Sequence, residues 1–255
     1  MHLVRIDMDK KPSSTNLVQK LSLSDFKAET VVFEVRFPAC YALWDKSGSL
    51  WTRMLDQWPS LKNVDASPAK TTFSLDDKFA LAVELEKAFG IGYLSRTNSK
   101  DFLETIQSFI DGVTKELRIQ NYTRIGFRQA FFREFSTKQE ASRALINSGI
   151  IHVPKSPQFG IEGEAIFPEY ALRWEGKSTG TTVRLRAEER KIELEPALGV
   201  TEIETVRVTK YRLALDIDYY ASATIAVGQI RVKDWIEQAL HLVTRDANSF
   251  LEAGR

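Results

Sequence analysis

A strand-then-helix pattern occurs twice in this chain, and no other feature limits its fold as strongly. Phe79-Ala80-Leu81-Ala82-Val83-Glu84-Leu85 is followed at a distance by Asp101-Phe102-Leu103-Glu104. Tyr211-Arg212-Leu213-Ala214-Leu215-Asp216-Ile217 is followed, after a spacer of nearly equal length, by Asp234-Trp235-Ile236-Glu237. In each copy apolar residues recur at every second position, then at every third or fourth. Those are the periods of a half-buried strand and of an amphipathic helix. Two blocks in the same order imply duplication. The expected fold is α+β: two pseudo-repeated lobes of antiparallel sheet, with helices covering one face and polar strand residues on the other.

The remaining segments fill in this plan. Residues 1–30 are polar and aperiodic and read as an N-terminal arm, with a short helix near Leu17–Leu21. The first lobe spans 31–149. Phe33, Val35 and Phe37 alternate with Glu34 and Arg36, a strand that Pro38 ends. Ser47–Trp58 carries a helical stripe through Leu50, Trp51, Met54, Leu55 and Trp58. Asn63–Lys70 reads as a loop, Thr71–Leu75 as a strand, and Gly90 and Gly92 as a turn. Asp101–Leu117 is the clearest helix, with Ser99 as its cap, and Tyr122–Phe135 follows as a long strand. This order is ferredoxin-like, with an extra strand in the middle.

Thr137–Asn147 adds a short helix. Pro154, Pro157, Gly160 and Gly163 mark a connector over 150–163. The second lobe, 164–255, is strand-rich: Ala165–Trp174, Thr181–Ala187, Lys191–Glu195 and Thr205–Tyr219, with Glu188-Glu189-Arg190 as a polar turn. Ala223–Val227 is expected to pair back, and Val232–Leu251 is a closing helix.

Composition removes several function classes. The formal net charge of +1 gives no general attraction to nucleic acid. The single cysteine, Cys40, rules out intrachain disulfides and cysteine zinc clusters. It reads as a small hydrophobe beside a strand end. His2, His152 and His241 have no metal-ligand spacing. No phosphate-binding loop, dinucleotide fingerprint or nucleophile elbow occurs. The first residues have no signal-peptide run and no stretch suits a membrane span, so a cytoplasmic protein without membrane contact is expected.

Two charged sets are candidates for chemistry. Asp216 and Asp218 sit two apart on one strand and so share a face. The repeat aligns them with Glu84 and Glu86. Such carboxylates could hold Mg²⁺, the one cofactor the chain suggests, or simply face solvent. Arg124 and Arg128 flank Gly126, which leaves room for a ligand or a backbone, and Arg36, Arg184 and Arg186 also lie on strands. These arginines suit phosphate partners or, more plainly, cross-strand pairing with Glu34, Asp216 and Asp218. Trp51 and Trp58 are candidate interface residues, with core packing as the plain alternative.

Four segments carry a family resemblance: Val32-Phe33-Glu34-Val35-Arg36-Phe37-Pro38, Arg124-Ile125-Gly126-Phe127-Arg128, Leu215-Asp216-Ile217-Asp218 and the closing helix. In these the chain resembles a sporadically distributed prokaryotic family of uncharacterised proteins of about this length. That family often continues the arginine–glycine strand with tyrosine and asparagine, where Gln129-Ala130-Phe131 stands here. The resemblance transfers no catalytic residue. Its patchy distribution implies accessory genes, such as mobile-element, toxin–antitoxin or phage-defence systems. The expected function is therefore non-enzymatic binding of a protein partner or of a second copy. The alternatives are nucleic-acid or nucleotide binding through the arginines, and a metal-dependent phosphoester enzyme using Asp216 and Asp218.

Overall fold

The computed structural model describes residues 20–153, 161, 163–194 and 206–252. Among them, nine strands form one fully antiparallel sheet. Its two central strands are β1 (Lys27–Arg36) and β7 (Arg124–Phe135). Outward from β1 lie β5 (Lys87–Tyr93), β4 (Phe79–Glu84), β3 (Lys70–Leu75) and β2 (Lys62–Ser67). Outward from β7 lie β10 (Val206–Ala221), β9 (Thr179–Leu194) and β8 (Glu169–Glu175). A two-stranded ladder joins β6 (Asn121–Tyr122) to β11 (Ile225–Ala226).

Strict alternation gives the sheet a dry face and an open one. Phe33 lies opposite Phe127 and Val35 opposite Ile125, all buried. The residues between them, Glu34, Arg36, Arg124 and Arg128, point to the other side. Four helices cover the dry face: α1 (Ala42–Gln57), α2 (Ser99–Leu117), α3 (Lys138–Asn147) and α4 (Val232–Glu252). α2 buries Phe102, Ile106, Phe109, Ile110 and Val113, spaced at three and four. α4 does the same with Val232, Ile236, Ala239, Val243, Ala247 and Leu251. Each fully buried Phe, Leu or Ile contributes about 1.5–3 kcal/mol.

The α+β class and the large antiparallel sheet with covering helices are as expected. The first lobe has the expected ferredoxin-like order, with β7, β1, β5 and β4 side by side in the sheet. The strands joined through α1 (β1 and β4) and through α2 (β5 and β7) are parallel pairs, each split by an antiparallel strand, and β2 and β3 form an added hairpin. Several local readings are corrected. The repeat aligned strands that hold different places. β10 pairs directly with central β7, while β4 is separated from central β1 by β5. Glu86 lies in the turn between β4 and β5. Asn63–Lys70 is not a loop, since it contains β2. Asn98, not Ser99, caps α2, its side chain accepting from the Asp101 N–H at 2.9 Å.

Glu188-Glu189-Arg190 is not a turn. It continues β9, opposite Arg212, Tyr211 and Lys210 of β10. Gly90 and Gly92 are inside β5, where they face α2. A Cβ at Gly90 would collide with Ile106 Cδ1, and one at Gly92 would lie 2.6 Å from Phe102 Cδ2. The glycines mark a close helix–sheet approach, not a bend. The arm up to residue 19 and most of the connector (154–160 and 162) lie outside the described residues.

Gly92→Val tests that approach. The added side chain must displace the buried Phe102 ring and Val31, an overpacking cost of about 1–3 kcal/mol. Urea unfolding should show a lower midpoint with an unchanged slope.

Candidate functional site

The open face gathers the charged residues singled out in the sequence, apart from Glu86 in the β4–β5 turn. Glu84 lies on β4, Arg36 on β1, Arg124 and Arg128 on β7, and Asp216 and Asp218 on β10. They do not converge in a pocket. Instead a ladder of alternating charge crosses six adjacent strands. Lys70 lies 3.9 Å from Glu84, and Glu84 lies 3.4 Å from Lys87. Lys87 is 4.0 Å from Glu34, which accepts from Arg124 at 3.0 Å. Arg124 in turn donates to Asp218 at 3.0 Å. Arg36 adds a 2.7 Å bond to Glu34.

Beside this ladder, Arg128 holds Asp216 with two bonds of 2.6 Å, the planar fork meeting both carboxylate oxygens. Only 13% of the Asp216 side chain is exposed. Sheet geometry produces these contacts, because alternate residues on neighbouring strands stand side by side. A Cβ at Gly126 would make ordinary contact with the Arg124 guanidinium, 3.7 Å away. That guanidinium also lies over the Tyr220 ring at 4.6 Å.

A second charge cluster, not singled out in the sequence, lies at the other end of the same face. Arg212 donates to Glu188 at 2.6 Å and to both oxygens of Glu29 at 3.0 Å. Arg186 and Arg190 add bonds to Glu188 and Glu29. Arg212 is 13% exposed and lies over the Phe132 ring at 5.6 Å. Burial pushes the Glu188 carboxyl up, but bonds from Arg212 and Arg186 outweigh it and hold it below the usual carboxylate range. Treating Glu188 as a turn residue hid this cluster. The signal present was the even spacing of Arg184, Arg186 and Glu188.

A small hollow of about 100 Å³ is lined by Arg128, Thr182, Arg184, Asp216 and Asp218. Its two arginines and two aspartates cancel. Among the described residues no group of three or more His, Cys, Asp or Glu is placed to hold a metal ion. Arg128 occupies both oxygens of Asp216, and Arg124 occupies one oxygen of Asp218. No helix of the described residues is long and apolar enough to cross a membrane.

The aromatic candidates lie elsewhere. Trp51 is half-buried and stacks on Phe73 at 5.8 Å, and Trp58 packs against the core. Cys40 is half-buried, its thiol aimed at the Leu117 carbonyl at 3.6 Å. The most exposed aromatic of the sheet is Trp174 on β8, at 48%.

Trp174 stands at the mouth of a cleft of about 650 Å³ between β8, β9, β10 and α4. Tyr170, Leu172, Val183, Tyr219 and Phe250 line it, with Tyr170 stacked on Phe250 at 6.0 Å. The cleft is mainly apolar, in the size range of binding pockets. It opens beside β8, which ends the sheet. The sequence signal was the alternation Tyr170, Leu172, Trp174 against Glu169, Ala171, Arg173, Glu175.

A scan of the chain against protein-family models gave no match, and neither did a search of curated proteins.

Two measurements check the electrostatics. A double-mutant cycle on Arg128→Ala and Asp216→Ala should return a coupling of about 0.5–1 kcal/mol, near the top of the surface-pair range because the pair is bidentate. Glu188→Gln should cost about 1–3 kcal/mol at neutral pH. Its folded-state pKa is depressed, so its contribution is present above the unfolded value of about 4.3 and lost as pH falls through the folded value. Urea midpoints of the variant and the parent should therefore draw together below about pH 4.

Proposed function

We propose that this chain is a non-enzymatic binding protein whose partner is another protein, and that it binds through the β8 edge and the apolar cleft beside it. The observation that carries the reading is the contrast between the two ends of the sheet. β2, at one end, is exposed throughout, mostly polar, and interrupted by a bulge between Asn63 and Asp65. Those are the devices that stop an edge from pairing with another chain. β8, at the other end, has an unbroken register with β9 and a row of half-open apolar side chains. An edge in unbroken register with an apolar cleft on one side is suited to strand addition.

The charged face supports the same reading by subtraction. Arg36, Arg124 and Arg128 already have carboxylate partners. Little uncompensated positive charge is left for a phosphate backbone, whose attraction scales with the charges that neutralise it. The family resemblance adds a setting, an accessory, toxin–antitoxin or phage-defence system.

A photo-crosslinking amino acid placed at Trp174 tests the proposal against the same group at Val64 on β2, a more exposed control. Protein adducts should form in cells at position 174 and not at 64. Adducts at neither position, or equally at both, would remove the basis for the reading.

A further inference from the structure

The β8 sequence is complementary to itself. Residues Glu169-Tyr170-Ala171-Leu172-Arg173-Trp174-Glu175 alternate between the open face and the cleft face. Two antiparallel copies keep their faces aligned only in registers centred on one residue, because the side-chain period is two. Centring on Leu172 sets Glu169 against Glu175 twice, and centring on Arg173 sets arginine against arginine. Centring on Ala171 sets Glu169 opposite the second copy's Arg173 in both halves. The same register sets Tyr170 opposite the second copy's Leu172, again twice, on the cleft side. Opposite charges and aromatic–aliphatic pairs directly across a ladder each stabilise it, and like charges there weaken it.

We propose that β8 pairs antiparallel with β8 of a second copy about a twofold axis through Ala171, joining two sheets into one. The proposal rests on the reading of β8 as a protein-binding edge and names the occupant. The contact is isologous, so it closes as a dimer and leaves only the protected β2 edges at the two ends. Arg173 would exchange its present contacts, the Tyr220 hydroxyl and Glu175 at 3.0 Å, for the new pair. The side chains of Arg173 and Glu175 are both 61% exposed, and such pairs contribute little.

Sedimentation equilibrium of the full chain tests this. The parent should be a dimer. Glu169→Arg alone sets arginine against arginine, Arg173→Glu alone sets glutamate against glutamate, and each should raise the dissociation constant about tenfold or more. Mixing the two single variants in equal amounts restores both opposite-charge pairs and should restore a mixed dimer. Both positions are exposed, so far-UV circular dichroism at room temperature should match the parent. Should Glu169→Arg fail to fold by that measure, Glu169→Gln replaces it, with weaker dimerisation expected. A monomeric parent, single variants that dimerise as tightly as the parent, or a mixture of folded variants that stays monomeric would each overturn the register. A monomeric parent that still forms adducts with a different protein at position 174 would overturn the dimer and leave the binding edge standing.

Discussion

Everything in this molecule hangs on the pairing of β1 with β7. The two strands run antiparallel through nine matched residue pairs, with one irregularity between Ala28 and Thr30. Phe33 meets Phe127 on the dry side, while Glu34 meets Gly126 on the open side. A slip of one residue would carry both phenylalanines into solvent and the arginines under the helices. The pair also settles the fate of the two expected lobes, which share one continuous sheet.

An open face of this width has to solve a charge problem. Alternation on half-buried strands puts polar side chains into a dense array, where like charges opposite each other are costly. The ladder from Lys70 to Asp218 alternates in sign at each step. The cluster around Arg212 repeats the solution at the other end. Residues that stand out as a binding constellation in a linear sequence are thereby partners of one another. What remains unsatisfied is an edge and a cleft, at β8, where the helical layer and the sheet both run out.

Much of the local structure was legible beforehand. The alternation of Phe33, Val35 and Phe37 and the stripes of the helices Ser99–Leu117 and Val232–Glu252 correspond to the observed buried faces. The errors share a cause. Gly90 and Gly92 looked like turn residues because glycine permits turns, yet the pressure for them comes from Ile106 and Phe102 on a distant helix. Glu188-Glu189-Arg190 looked like a turn because charge runs usually face water, yet Arg212 and Arg186 hold Glu188 inside a strand. The candidate charges were correctly placed on one face, but whether they faced a ligand or one another depended on which strands became neighbours.

The sequence by itself determined the periods: which segments are strands or helices, and which side of each is apolar. Those are properties of residues a few positions apart, and hydrophobic alternation records them directly. Tertiary structure alone decided the strand order beyond the ferredoxin-like unit, the sign-alternating ladder and the identity of the exposed edge. These depend on contacts between residues such as Glu34 and Arg124, or Asp216 and Arg128, far apart in the chain. Alternation says that a strand has a dry face. It does not say which strand lies beside it, or that β8 will have a neighbour on one side only among the described residues.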